Sequence, residues 1–291
     1  MEHAIARCTR PAGLGGVLLA ALWSAGPAWS AGEGIVLAPH RAVYDMTLAN
    51  TRGGAGVSAV SGRMVYELTG SACEGYTQSM RFVTRMTSQS GNASVSDLRS
   101  SSWEQGDGKR FRFDSSQYRD EKATEMTAGD AARPNAADGV KVELTKPARK
   151  NLSLSSGVYF PIQHSIAVID AARAGKSIFR ADLYDGSEKG EKVYDTVTFI
   201  GRRQGAGVNR KLPAVKSGER LDGIAGWTVA IGYFEPGSDK RDALPVYELT
   251  FLFFENGVSR KLYIDYGEFA IRGELTEITF LEPSKCQPKA R

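Results

Sequence analysis

Cysteine and histidine are both scarce in this chain, three of each among 291 residues, and the scarcity removes several kinds of chemistry at once. His3 and Cys8 sit at the extreme N-terminus, so the body keeps only Cys73, Cys286, His40 and His164. These four lie too far apart in sequence for a zinc site, whose ligands come in short spacings, and no C-x-x-C pair is present for redox exchange. Hydrolysis by an activated Ser or Cys usually wants a histidine base. His40 stands in A-P-H-R-A-V-Y just ahead of a strand pattern, where a packed or hydrogen-bonded role is ordinary, and His164 shares no helix face with its neighbour Ser165. G-x-S-x-G, H-E-x-x-H, a P-loop and a dinucleotide G-x-G-x-x-G are all missing. The chain therefore reads as a non-enzyme with no cofactor and no metal, although a site of Tyr, Asp or Arg would leave no linear trace.

Net charge is also small, +4 over the whole chain, which is too little to argue for nucleic acid. The most cationic pieces, K-R-F-R-F at 109–113 and G-R-R-Q-G-A-G-V-N-R-K at 201–211, read as a strand showing Arg and Lys to water and a polar connection. Long apolar runs are absent after residue 30, so no transmembrane segment is expected. Before it, Arg7 and Arg10 precede an uncharged run of about twelve residues, short of the roughly 20 that span a bilayer. Ala28 and Ser30 then supply small side chains for a peptidase, and the whole reads as a secretory signal peptide, residues 1–30, cleaved after Ser30. No cysteine stands at the cleavage point to carry a lipid anchor. In an exported chain the one remaining cysteine pair, Cys73 and Cys286, reads as one disulfide, and so long a loop could stabilise by roughly 5 kcal/mol.

What the chain has in abundance is alternation. Tyr44, Met46 and Leu48; Met64, Tyr66 and Leu68; Phe111 and Phe113; Val140, Val142 and Leu144; Val193, Val197 and Phe199; and Leu262, Ile264 and Tyr266 all keep period 2 or nearly so, the mark of strands with one wet face. Turn residues fall between them at 52–56, 106–108, 185–186 and 256–257. The arm before Asn256-Gly257 has Phe251 and Phe253 on one face and Leu252 and Phe254 on the other, so both faces are expected to be covered. The convincing helix runs from Pro161 to Arg173. Pro161 suits its first position, Gly175 stops it, and Ile166 and Ile169 fall within about 40° of Ile162 at 100° per residue. The reading is one all-β, mainly antiparallel domain over 31–291, its curved sheet holding this helix on the concave side. The Ala-rich stretch 114–138 has no period and reads as a short strand and a loop.

Residues 182–195 gather Asp182, Asp185, Glu188, Glu191 and Asp195. An EF-hand needs a fixed acidic phase that these do not keep, and a glycosidase pair needs one carboxyl in a dry pocket. Asp185-Gly186-Ser187 is instead expected to be a hairpin turn in water, with Tyr184 and Tyr194 as neighbours across the ladder.

Four features together, A-P-H-R-A-V-Y-D-M at 38–46, D-G-S-E-K-G at 185–190, Cys73 after a strand ending in E-L, and Cys286 near the C-terminus, resemble the EipB family of exported alphaproteobacterial proteins. The resemblance covers essentially the whole exported chain. It implies a periplasmic β-spiral, a broken cylinder wrapped around the 161–173 helix, a Cys73–Cys286 disulfide, and a role in cell envelope integrity without known catalysis. Two functions follow as expectations. One is a non-enzymatic protein that binds a periplasmic partner, of the helical-repeat type, or an apolar lipid or lipoprotein ligand. The other is an envelope hydrolase acting on peptidoglycan or lipid, which a cleft with two or more buried titratable groups would favour.

Overall fold

The computed structural model describes residues 34–54, 56–135, 138–237 and 243–286; the expected signal peptide and its cleavage point lie outside them. Among the described residues the chain forms β1 (His40–Thr51), β2 (Val57–Ser71), β3 (Gly75–Ser88), β4 (Ala93–Glu104), β5 (Arg110–Arg119), β6 (Lys122–Ala132), β7 (Val140–Lys146) and β8 (Lys150–Leu154). Helix α1 (Pro161–Arg173) follows, then β9 (Ile178–Leu183), β10 (Tyr194–Gln204), β11 (Gly226–Phe234), β12 (Tyr247–Phe254), β13 (Ser259–Asp265) and β14 (Phe269–Phe280). All fourteen belong to one antiparallel sheet in the order β8-β7-β6-β5-β4-β3-β2-β1-β14-β13-β12-β11-β10-β9. Two meanders thus run outward from a central β1–β14 pair, as short turns between successive strands dictate.

The edges β8 and β9 do not pair with each other. Tyr159, on the chain entering the helix, bridges to Leu183 instead, its N–H donating to Asp182 O at 2.8 Å and its carbonyl accepting from Tyr184 N–H at 2.9 Å. The cylinder is therefore open, with a single bridge at its seam, and the helix follows directly inside. Cys73 in the β2–β3 turn is bonded to Cys286 beyond β14, with Cα atoms 5.7 Å apart, within the usual range for a disulfide.

The expected helix is present with its bounds, Pro161 at its start and Gly175 beyond its end at φ +73°. Ile162 and Ile169 are buried and Ile166 packs on the core from its margin. The buried arc is wider than the isoleucine stripe, because the sheet curls round the helix and also covers His164, Val168, Ala171 and Ala172. His164 lies about 200° round the helix from Ile162 at 100° per residue, off the isoleucine stripe, and is nevertheless inside.

Three further expectations are corrected. The stretch 114–138 contains most of a β5–β6 hairpin, turning at Asp120 (φ 49°) and Glu121 (φ 67°). Two consecutive positive φ values make the tight turn that glycine usually marks, and Asp120 Oδ1 accepting from Val95 N–H at 2.8 Å ties it to β4. The inner face of β10 is Tyr194, Thr196, Thr198 and Ile200, whereas Phe199 is 53% exposed. Alternation located the strand but chose the wrong face, because the inward threonines look polar. Tyr184 and Tyr194 are not facing neighbours, since the ladder pairs Leu183 with Tyr194.

Two apolar clusters result. The larger one joins the helix to β1–β3 and β9–β14; the smaller one packs Phe111, Phe113, Val140, Val142 and Leu144 with Phe160 and Tyr184 near the seam. Phe111 stacks on Phe160 with ring centroids 5.1 Å apart. Both faces of β12 are buried, as its sequence requires: Phe251 and Phe253 face the cylinder, while Leu252 pairs in register with Arg260 on the far side. There Arg260 holds the 205–224 connection over the sheet by bonding Asn209 and by donating to Pro213 O at 2.7 Å.

Candidate functional site

Inside the cylinder the inward positions of several strands fall into two cross-strand rows. Tyr44, Met64, Phe82 and Leu98 are register partners across β1 to β4, and Ile231, Leu249 and Ile264 across β11 to β13. Helix residues His164, Ser165 and Val168 face both rows. These walls do not meet, and a cavity of about 430 Å³ remains between them. That lies in the 300–1,000 Å³ range of small-ligand sites, which are mostly apolar with a few placed polar groups. Tyr44, Phe253 and Leu262 are buried in its floor, whereas Phe82, Leu98 and Ile264 are only half-buried and Tyr266 is 39% exposed, so the cavity has a rim at the surface.

Five of its polar side chains are engaged with protein. Tyr44 Oη donates to Ser259 O at 2.8 Å, and Tyr66 Oη accepts from Gln78 Nε2 at 2.9 Å. Ser165 Oγ donates to Pro161 O at 2.9 Å, within its own helix. Thr196 spends its hydroxyl hydrogen on Ala181 O at 2.7 Å, so His164 Nε2, 3.2 Å from the same Oγ, must be the donor. His40 Nδ1 donates to Ala38 O at 2.7 Å for the parallel reason that a carbonyl only accepts. Burial lowers both imidazoles below the ordinary range, His164 to about 4, and pushes the Tyr66 phenol up to about 12. The wall is thus uncharged at neutral pH. Ser165 and His164 each have another partner, so these sequence neighbours do not make a nucleophile–base pair.

Glu104 at the end of β4 holds the helix in place, a role that sequence reading missed. Phe160 at the N-cap offers no side-chain cap; the Ile162 and Gln163 N–H groups donate to Glu104 Oε2 and Oε1 at 2.7 and 3.0 Å. Gln163 Nε2 adds a bond to Gly106 O at 3.0 Å. Burial pushes the Glu104 carboxyl up to about 8, against the two N–H groups and Arg133, which favour its charge. No local pattern places a strand-end glutamate 58 residues ahead of a helix it caps.

Asp185, Gly186 and Ser187 open the 184–193 connection between β9 and β10, which is too long for a tight hairpin turn; Asp185 Oδ1 accepts from Ser187 N–H at 2.9 Å, and the segment is docked into the protein and not bathed in water. Tyr184 Oη donates to Gly190 O at 2.7 Å, and a Cβ on Gly186 would run into the Phe113 ring. Burial accordingly raises the Asp185 carboxyl. Of the other acids in the stretch, Asp182 and Asp195 face each other in register, and burial followed by that neighbour raises Asp182. Among the described residues no group of three or more His, Cys, Asp or Glu side chains could hold a metal ion.

An open antiparallel cylinder around one helix, with an apolar cavity between them, defines a β-barrel-like protein with an interior cavity. The EipB-like family model matches residues 31–282, and the chain belongs to that family. It is 35% identical over 257 residues to the cell envelope integrity protein EipB of Brucella abortus (strain 2308), covering 88% of this chain and 89% of that one. The crystal structure of a β-barrel-like protein with a domain of unknown function, also from Brucella abortus, superposes with a TM-score of 0.75 at 34% identity, over 84% of this chain and 99% of the other. No helix among the described residues is long and apolar enough to cross a membrane.

Proposed function

We propose that this protein is exported to the periplasm and supports cell envelope integrity without catalysis, by holding an apolar ligand, an acyl chain of a lipid or lipoprotein, in the cavity beside the helix. The observation that carries the reading is the cavity itself: about 430 Å³ of space walled mainly by Met, Phe, Leu, Ile and Tyr side chains, in which Tyr44, Tyr66, His164 and Ser165 already bond to protein. Such a wall rewards burial of hydrocarbon, about 0.8 kcal/mol per methylene. Export is supported by the N-terminal leader and by the disulfide, which persists in oxidising compartments. The envelope role draws on the name of the Brucella relative. A second reading, docking of a protein partner, draws on Ile178 and Phe199, exposed register partners on the outer face at the β9 edge.

Titration of the delipidated protein with a fluorescent long-chain fatty acid tests the first reading. Saturable binding is expected, and Leu249→Trp, which fills the space, should weaken it at least tenfold with an unchanged melting temperature. Absence of saturable binding, or equal binding by the filled variant, would overturn the cavity reading and leave the outer face as the place to look.

A further inference from the structure

We infer that the outer face of β3–β7 carries a second binding site, for a neutral glycan built of pyranose rings. The alternation that buries Phe111 and Phe113 turns Arg112 outward, and the ladder aligns Thr77, Trp103, Arg112, Asp130 and Glu143 as successive register partners across five strands. Beside this row a depression of about 420 Å³ opens, because the residues at its base are small. Ser101 and Ser102 precede Trp103, and Ala128 and Gly129 stand where the β6–β7 register shifts.

Trp103 is the reason to read this depression as a site. The other tryptophan of the described residues, Trp227, is fully buried, whereas Trp103 is half-buried on a strongly polar surface. Its indole is seated against Gly75, where a Cβ would come within 2.9 Å of Nε1 and 3.0 Å of Cε2. The glycine therefore makes room for the ring, and a large amphipathic ring fixed beside a hollow offers apolar area at little entropic cost. A pyranose presents a C–H face that packs on an aromatic ring and an edge of hydroxyls that both donate and accept. The surrounding Ser101, Thr145, Asp130 and Glu143 supply acceptors and hydroxyl partners for that edge.

Charge selects against an anion. Arg112 donates to Asp130 at 3.2 Å, Arg110 to the same carboxylate at 3.4 Å, and Lys146 to Asp114 at 3.1 Å. The cations are thus already engaged by carboxylates, and Glu143 adds a further negative group to the lining. Phosphate or another anionic head group would meet these carboxylates, whereas uncharged hydroxyls donate to them.

Trp103 also reports on its own site. Tryptophan fluorescence of the exported protein titrated with chitotetraose and with cellotetraose should show a saturable change with at least one of them. Trp103→Ala should lose it, and Glu143→Gln should weaken binding about tenfold by calorimetry. Both variants should keep the wild-type melting temperature and fatty-acid binding, which separates this site from the interior cavity. No saturable response to either oligosaccharide, or undiminished calorimetric binding by Trp103→Ala, would overturn the proposal. So would retention of an envelope protein, and of no sugar, through Trp103, which would make the patch a protein interface.

Discussion

Replacing both Cys73 and Cys286 with serine probes how far one covalent link supports the fold. The bond spans 213 residues, and the chain-entropy relation for a loop of that length gives about 18 cal/mol/K, or about 5 kcal/mol at 25 °C. That figure is a ceiling, because a compact unfolded chain already restricts the loop. β1 pairs with both β2 and β14 along most of its length, so the folded sheet brings the two cysteines near each other without the bond, and the effect of the bond falls on the unfolded chain. A realised contribution of about 2–5 kcal/mol, at about 2–4 °C per kcal/mol for a domain of this size, lowers the melting temperature by roughly 5–20 °C. Scanning calorimetry of the double-serine variant against oxidised wild type measures the shift, and wild type under reductant should match the variant. A shift below about 2 °C would refute the argument that the long loop constrains the unfolded chain.

The remaining predictions concern buried polar groups. Glu104, raised from 4.5 to about 8, binds its proton more tightly in the folded than in the unfolded chain. Stability is therefore favoured below pH 4.5 and falls as pH rises to 8, by up to about 5 kcal/mol. Glu104→Gln should flatten this slope in urea unfolding at pH 5 and pH 8, and an identical slope in the variant would show that Glu104 is not its source. Thr198 is fully buried, with no hydrogen-bond partner for Oγ1, so Thr198→Val should stabilise by about 1 kcal/mol; a destabilised variant in the same unfolding assay would mean that the hydroxyl is satisfied.

Local signals carried much of the architecture. Proline, a spaced isoleucine stripe and a glycine stop placed α1 with its bounds, and glycine turns placed four of the hairpins, because these features depend on backbone conformation within a few residues. The errors came where a distant partner decided the outcome. Thr196 faces inward because His164 and the Ala181 carbonyl meet it there. The Asp185 turn is dry because Phe113, from a strand some seventy positions earlier, lies against Gly186. The β5–β6 turn went unseen because Asp and Glu adopt positive φ without glycine to mark it. Of the cavity, the β1, β2, β12 and β13 positions were visible as alternation. Met80 and Phe82 in β3 follow the same rule and were open to the same reading.

The cavity exists because the helix packs unevenly. Its sheet neighbours in the chain's own seam, β9 and β10, contact it directly, and His164 is fixed to Thr196 on that side. At its N-terminus Glu104 holds it from the end of β4, so the axis is pinned where the two halves of the sheet approach each other. The opposite wall, from β1 to β4 and across β12 and β13, presents Met64, Phe82, Leu249 and Ile264, which extend toward the helix but leave the space between them unfilled. An ordinary core closes such a gap, since each unfilled contact forfeits dispersion energy. Here the helix cannot move toward that wall without breaking the His164–Thr196 bond to β10, while the Glu104 cap from the end of β4 fixes its N-terminus, and the wall is held by its ladders. A ligand that supplies hydrocarbon would recover those contacts without moving either anchor.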